Sequence, residues 1–146
     1  MHDNLRYEDV KVGGEIPSLI KTPTTRQLVR YAAAAGDFNE IHYDKDFAQS
    51  TGLDGVIVHG ALKSAFLGQL LTDWLGDSGV LQKLIVQYRA IDVPGDILIC
   101  HGQVKGKHIK HGVGFLDCTI WIENSKGVCT TVGSATVKLN NMVGAG

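Results

Sequence analysis

The chain has 146 residues, 44% hydrophobic and 20% charged, enough for one domain with its own buried core. A formal net charge of −1 leaves no basic footprint for nucleic acid or for an anionic membrane surface. Cys100, Cys118 and Cys129 are odd in number and lack C-x-x-C spacing, which points to reduced thiols in a cytoplasmic protein and away from a zinc centre.

The opening MHDNLRYEDVKVGGEIP has no apolar h-region, so no signal peptide is expected, and residues 1–11 read as a polar surface segment. No run approaches the ~18 apolar residues of a membrane span. Gly13-Gly14 turns the chain into a short strand around Ile16–Ile20. Thr24, three residues before Gln27, matches a capping box and starts a helix reaching about Ala35. That helix carries Leu28, Tyr31, Ala32 and Ala35 on one side, and Gly36 stands where a glycine stops a helix. Asp37–His42 follows as a loop. Asp44 then caps a short helix that buries Phe47 and Ala48 and ends at Gly52.

Residues 60–75, GALKSAFLGQLLTDWL, form the most apolar helix in the sequence, and its few polar positions include Lys63 and Ser64. A helix apolar nearly all round is a core helix, and 16 residues give about 24 Å of length. Gly76-Asp77-Ser78-Gly79 reads as the turn that stops it. Alternating residues then predict strands over Leu84–Ile91, Ile97–Val104, Val113–Ile122 and Val128–Leu139. Turns are expected at Val93–Asp96 and Asn124–Gly127. Gly102 and Gly106 suggest a bulge, and the small residues Gly133 and Ala135 would let a helix pack closely. The tail 140–146 reads as frayed. The pattern predicts a single α+β domain over 1–146, with its core at about 10–139 and an antiparallel sheet curled around one buried helix.

Two features carry chemistry. Gly36-Asp37-Phe38-Asn39-Glu40-Ile41-His42 sets a carboxylate and an imidazole five positions apart in a loop. Val58-His59-Gly60 leads into the core helix and offers free N–H groups at its N-terminus. Taken alone, Gly-Asp-x-Asn is equally a turn with an Asx cap. His101, His108 and His111 on a predicted hairpin read as solvent-facing rather than as metal ligands.

The run Tyr31-(x)4-Gly36-Asp37-x-Asn39-x-Ile41-His42-x-Asp44, with Phe47-Ala48, Gly52 and Ile57-Val58-His59-Gly60, resembles the MaoC-like hydratase family. The resemblance is dense over residues 25–65. It implies a hotdog fold, in which a curved antiparallel sheet wraps a long central helix. It also implies a homodimer or higher homo-oligomer, or a heterodimer with a paralogue. The implied substrate is an enoyl thioester on coenzyme A or acyl carrier protein, with no separate cofactor and no metal. The family's catalytic pair falls on Asp37 and His42, and its thioester-binding N–H on Gly60, with Asn39 and His59 in supporting places. Two positions depart from the family pattern: Glu40 replaces a usual Pro, and Ala61 replaces a usual Met. The implied reaction is reversible hydration of the 2,3 double bond to an (R)-3-hydroxyacyl product. A hotdog thioesterase and an acyl-binding subunit of a heteromeric dehydratase are the alternatives. Leu53, Val56, Leu62 and Phe66 are candidates to line an acyl tunnel, and core packing accounts for them equally well. His59 is expected to order the start of the core helix.

Overall fold

A computed structural model describes residues 4–144. Strand β1 (Glu15–Lys21) is followed by helices α1 (Thr25–Ala35), α2 (Lys45–Ser50) and α3 (Gly60–Leu75). Four longer strands complete the chain: β2 (Gly79–Tyr88), β3 (Leu98–Lys110), β4 (Val113–Asn124) and β5 (Cys129–Met142). They form one sheet in the order β1-β3-β4-β5-β2, antiparallel at every step. No helix among the described residues is long and apolar enough to cross a membrane.

The local signals act as their chemistry requires. Thr24 Oγ1 accepts the Gln27 N–H at 3.1 Å, and Asp44 Oδ1 accepts the Phe47 N–H at 3.0 Å. Asn124 Oδ1 accepts the N–H groups of both Lys126 and Val128 at 3.0 Å, closing the β4–β5 hairpin. In β4, Gly114, Leu116, Cys118, Ile120 and Ile122 point into the core, and the alternate residues are less buried. Facing them, α3 buries Leu62, Phe66, Leu67, Leu70, Leu71 and Leu75. Each fully buried leucine contributes about 1.5–3 kcal/mol, so this single face of α3 supplies much of what holds helix to sheet. The arrangement is the hotdog: one long helix lying in a curved antiparallel sheet.

Several expectations need correction. β2 starts at Gly79, five residues before the predicted Leu84, and stops at Tyr88, because the chain bends at Arg89–Ala90, whose N–H groups both reach the Thr130 carbonyl. β3 continues past Val104 to Lys110, through a register shift between Val104 and Gly106 that lets the strand resume pairing with β4. The tail is not frayed over 140–144. β5 runs to Met142, and Asn140 Nδ2 donates to the Asp77 carbonyl at 2.9 Å; residues 145–146 lie outside the described residues. The segment 4–11 is anchored rather than merely superficial. Val10 is buried, and Lys107 Nζ donates to the carbonyls of Tyr7 and Val10; residues 1–3 of the expected surface segment lie outside the described residues.

Side-chain burial departs from expectation at four places. Phe47 is 40% exposed while Ala48 is buried, because α2 touches the body through one side only. Ala35 is exposed. α3 is not enclosed all round: Ala61 and Ala65 face outward, and Lys63 lies in the interior at 2% exposure. The close approach at Gly133 is to the Ile85 carbonyl of β2, not to a helix.

Candidate active site

Helix α1 ends on Gly36, whose φ of 70° is left-handed and whose N–H closes onto the Ala32 carbonyl. Asp37 is therefore the first residue off the helix, and its own N–H also reaches Ala32 O at 3.0 Å. The expected loop contains one turn of 3-10 helix, Glu40–His42. Asn39 caps that turn by accepting the Ile41 N–H at 3.2 Å, and its own N–H points at Asp37 Oδ1 at 3.4 Å. Asn39 thus shapes the backbone between the two candidate residues. Glu40 is exposed and faces water.

The turn is clamped to the segment leading into α3. Ile57 N donates to the Ile41 carbonyl at 3.0 Å, and His42 Nδ1 lies 2.8 Å from the Ile57 carbonyl. A carbonyl only accepts, so Nδ1 carries a proton, and the neutral ring presents its lone pair on Nε2. Nε2 lies 3.8 Å from Asp37 Oδ2, with the His42 side chain 9% and the Asp37 side chain 45% exposed. That separation is too long for a direct hydrogen bond. A carboxylate and a neutral Nε2 are moreover both acceptors. A single water, with two O–H donors, can satisfy both.

Beneath His42 lies His59, fully buried, with ring centroids 3.7 Å apart and planes at 21°. Tyr31 from α1 meets the other side of this pair edge-on, 4.9 Å from the His59 ring. His59 occupies the N-cap position of α3 but makes no capping bond, and neither ring nitrogen has a hydrogen-bond partner. Whatever order it gives the helix start comes through this stack on the His42 ring and not through a capping bond. Burial first, and the charge of His42 second, hold the His59 imidazole below its ordinary value.

Gly60 is the first residue of α3, so the helix N-terminus, which has no side-chain cap, follows directly on the residue whose ring stacks on His42. A Cβ at Gly60 would come within 2.8 Å of the Tyr88 ring. The Tyr88 hydroxyl lies 2.7 Å from Ser64 Oγ.

Asp37, His42 and His59 hold donor atoms within 4.8 Å of one another. Ring lone pairs lie in the ring planes, however, and two nearly parallel stacked rings do not aim them at one ion. Among the described residues, His101 stacks on Trp121, and His108 pairs with Asp117 at 3.4 Å on the exposed side of the sheet. Gly76–Ser78 is a single 3-10 turn, and Ser78 Oγ accepts the Leu5 N–H and donates to Asn4. Of the acyl-tunnel candidates, Leu62 and Phe66 are core residues, and Leu53 and Val56 are partly buried.

Sequence reasoning missed the Ile57 carbonyl, a backbone acceptor with no residue signature. It also missed Lys63, Asp92 and Thr130, which meet inside the molecule. The one hint was a lysine among the apolar residues of 60–75.

Comparison with known proteins gives a consistent picture. The chain matches the MaoC like domain over residues 11–120. It is 27% identical to an (R)-specific enoyl-CoA hydratase of Aeromonas caviae over 129 residues, 86% of this chain and 93% of that protein. It is 40% identical over 78 residues to the fatty acid synthase subunit beta of Gibberella zeae, covering 52% of this chain and 4% of that far longer protein. The solved (R)-hydratase from A. caviae superposes with a TM-score of 0.82 at 26% identity, over 90% of this chain and 98% of that one. The chain belongs to the MaoC-like domain family and has its hotdog fold.

Proposed function

We propose that this chain is a hydratase/dehydratase acting on 2-enoyl thioesters carried by coenzyme A or acyl carrier protein. The observation that carries the proposal is the 3.8 Å gap between His42 Nε2 and Asp37 Oδ2, with the opposite ring nitrogen pinned to the Ile57 carbonyl. The names of the similar proteins, an (R)-specific enoyl-CoA hydratase among them, support the same class and an (R)-3-hydroxyacyl product.

Hydration needs three functions. A base must take a proton from water as its oxygen bonds to C3. An acid must return a proton to C2. A donor must stabilise negative charge on the thioester oxygen meanwhile. Asp37 and His42 hold the water between them and share the two proton transfers, a contribution of about 10²–10⁴-fold. The Gly60 N–H, at the positive end of α3, is the donor to the oxygen. His59 stays neutral beneath His42, which leaves the positive charge of a transient imidazolium to His42 alone. Dehydration is the same path in reverse.

Phe38, Tyr43 and Phe47 are exposed around this loop, and the outer edge of β2 carries exposed Val80, Ile85 and Tyr88. We infer that a second subunit, another copy or a paralogue, covers them. The test incubates purified protein with crotonyl-CoA and longer 2-enoyl-CoAs while enoyl absorbance and free thiol are followed together. Loss of absorbance without thiol supports the hydratase. Thiol release indicates a thioesterase, and no change across carriers and chain lengths indicates an acyl-binding subunit.

A further inference from the structure

Lys63 lies one turn into α3, and its ammonium is inside the protein. Nζ donates to Asp92 Oδ2 at 2.9 Å and to the Ala90 carbonyl at 2.9 Å. Thr130 Oγ1 donates to the same Asp92 oxygen at 2.6 Å, while Asp92 Oδ1 has no partner. Lys63, Asp92 and Thr130 are each at most 2% exposed. Two links lead from this knot to the helix entry. The Asp92 carbonyl accepts the Val58 N–H at 2.8 Å, immediately before His59 and Gly60. Lys63 Nζ also sits 5.7 Å from the centroid of the Tyr88 ring, the ring that closes over Gly60.

Stability alone is a weak reason for such a pair. Desolvating two charges offsets most of their attraction, and apolar residues of similar volume fill such sites as well or better. What an apolar pair does not supply is direction. Charged hydrogen bonds fix the distance between the first turn of α3 and the 89–92 bend, and that bend holds Val58.

Resting on the hydratase reading, we propose that Lys63, Asp92 and Thr130 are positioning residues that hold the Val58–Gly60 turn so that the Gly60 N–H meets the thioester oxygen. They touch no substrate. They act through the backbone of residues 58–60 and through Tyr88. Loss of the pair then moves the donor while leaving acyl binding intact, and so lowers kcat more than it raises KM.

The experiment uses the full chain with Lys63→Met and Asp92→Val combined, which removes both charges and leaves neither buried alone. Amide hydrogen exchange is measured at Val58 and across the β3–β4–β5 strands, and steady-state turnover with crotonyl-CoA is measured in parallel. The expected result is strand protection as in the wild type, at least ~10-fold faster exchange at Val58, and a kcat lower by ~10-fold or more with KM little changed. Wild-type exchange at Val58, or wild-type kcat, in the folded double variant overturns the proposal. Thr130→Val keeps the charges paired and removes one bond to Asp92; it is read by the same criteria should the double variant not fold. The exchange measurement needs no substrate. A wild type silent toward every enoyl thioester removes the hydratase reading, and the Val58 exchange rate still decides whether this network holds the turn.

Discussion

The imidazole of His42 lies face to face with that of His59, 3.7 Å between ring centres. Two rings at that distance cannot both carry a positive charge cheaply, and it is His42 whose Nε2 pairs with Asp37 Oδ2 at 3.8 Å. Burial gives His59 the neutral role. On the proposed function, proton transfer at the site therefore falls to His42, with His59 as a flat, uncharged support.

The first expectation concerns the Asp37–His42 pair. Asp37→Asn removes an acceptor, and His42→Ala removes the Nε2 lone pair together with the bond to Ile57. Each variant is expected to lose about 10²–10⁴-fold in kcat for enoyl-CoA hydration. Asp37→Asn should keep its far-UV circular dichroism and melting temperature nearly unchanged, since the Asp37 side chain is 45% exposed. Near-normal turnover in either variant would contradict the assignment.

The buried imidazole makes stability depend on pH. His59 is held below its ordinary value of 6.5 in the folded chain, so below that pH the unfolded chain binds a proton that the folded chain resists. Stability therefore falls as pH drops through about 6.5 and rises toward neutrality. Urea midpoints measured from pH 5 to 8 should show this slope, and His59→Phe should reduce it. An unchanged slope in a folded His59→Phe protein would locate the titration elsewhere.

Gly60 is constrained by what lies over it. Gly60→Ala places a methyl group against the Tyr88 ring, which must swing away and give up its contact with Ser64. Since Tyr88 is half-exposed, the cost should stay in the overpacking range of about 1–3 kcal/mol. The drop in kcat should exceed what that loss of stability explains, because the ring and the helix entry both shift. Adding Tyr88→Ala should restore the melting temperature toward that of the Tyr88→Ala single variant.

The thiols provide an independent check of the core. Burial pushes Cys100 up to about 12 and Cys118 up to about 11, while Cys129 is exposed. A disulfide reagent such as DTNB should titrate one thiol per native chain rapidly, and all three cysteines only in denaturant. Fast reaction at two or more sites in the native protein would show that the β3–β4 core is looser than described.

Much of the architecture was legible because its signals are local. Thr24 and Asp44 cap helices through bonds to residues three positions away, so their ends could be read from neighbouring letters. The apolar run at 60–75 and the alternation in β4 follow from one-sided burial and match the observed elements closely. Strand ends were less legible. Where β2 begins and where β3 stops depends on which partner strand lies alongside, as the pairing of Gly79 with Leu139 shows. Phe47 misled for a related reason: an apolar side chain at a helical position says nothing of whether a neighbour covers it.

The candidate site divides along the same line. Caps, periodicity and strand alternation are set by residues close along the chain and made the fold class legible, while Asp37, His42 and Gly60 were picked out by the resemblance of residues 25–65 to a known family. Packing alone fixes that His42 is held by the Ile57 carbonyl, that the His59 ring stacks beneath it, and that Lys63 meets Asp92 across 29 positions. Those relationships are contacts between segments whose approach is fixed by the packing of α3 into the sheet, and no local pattern encodes a distance across the core.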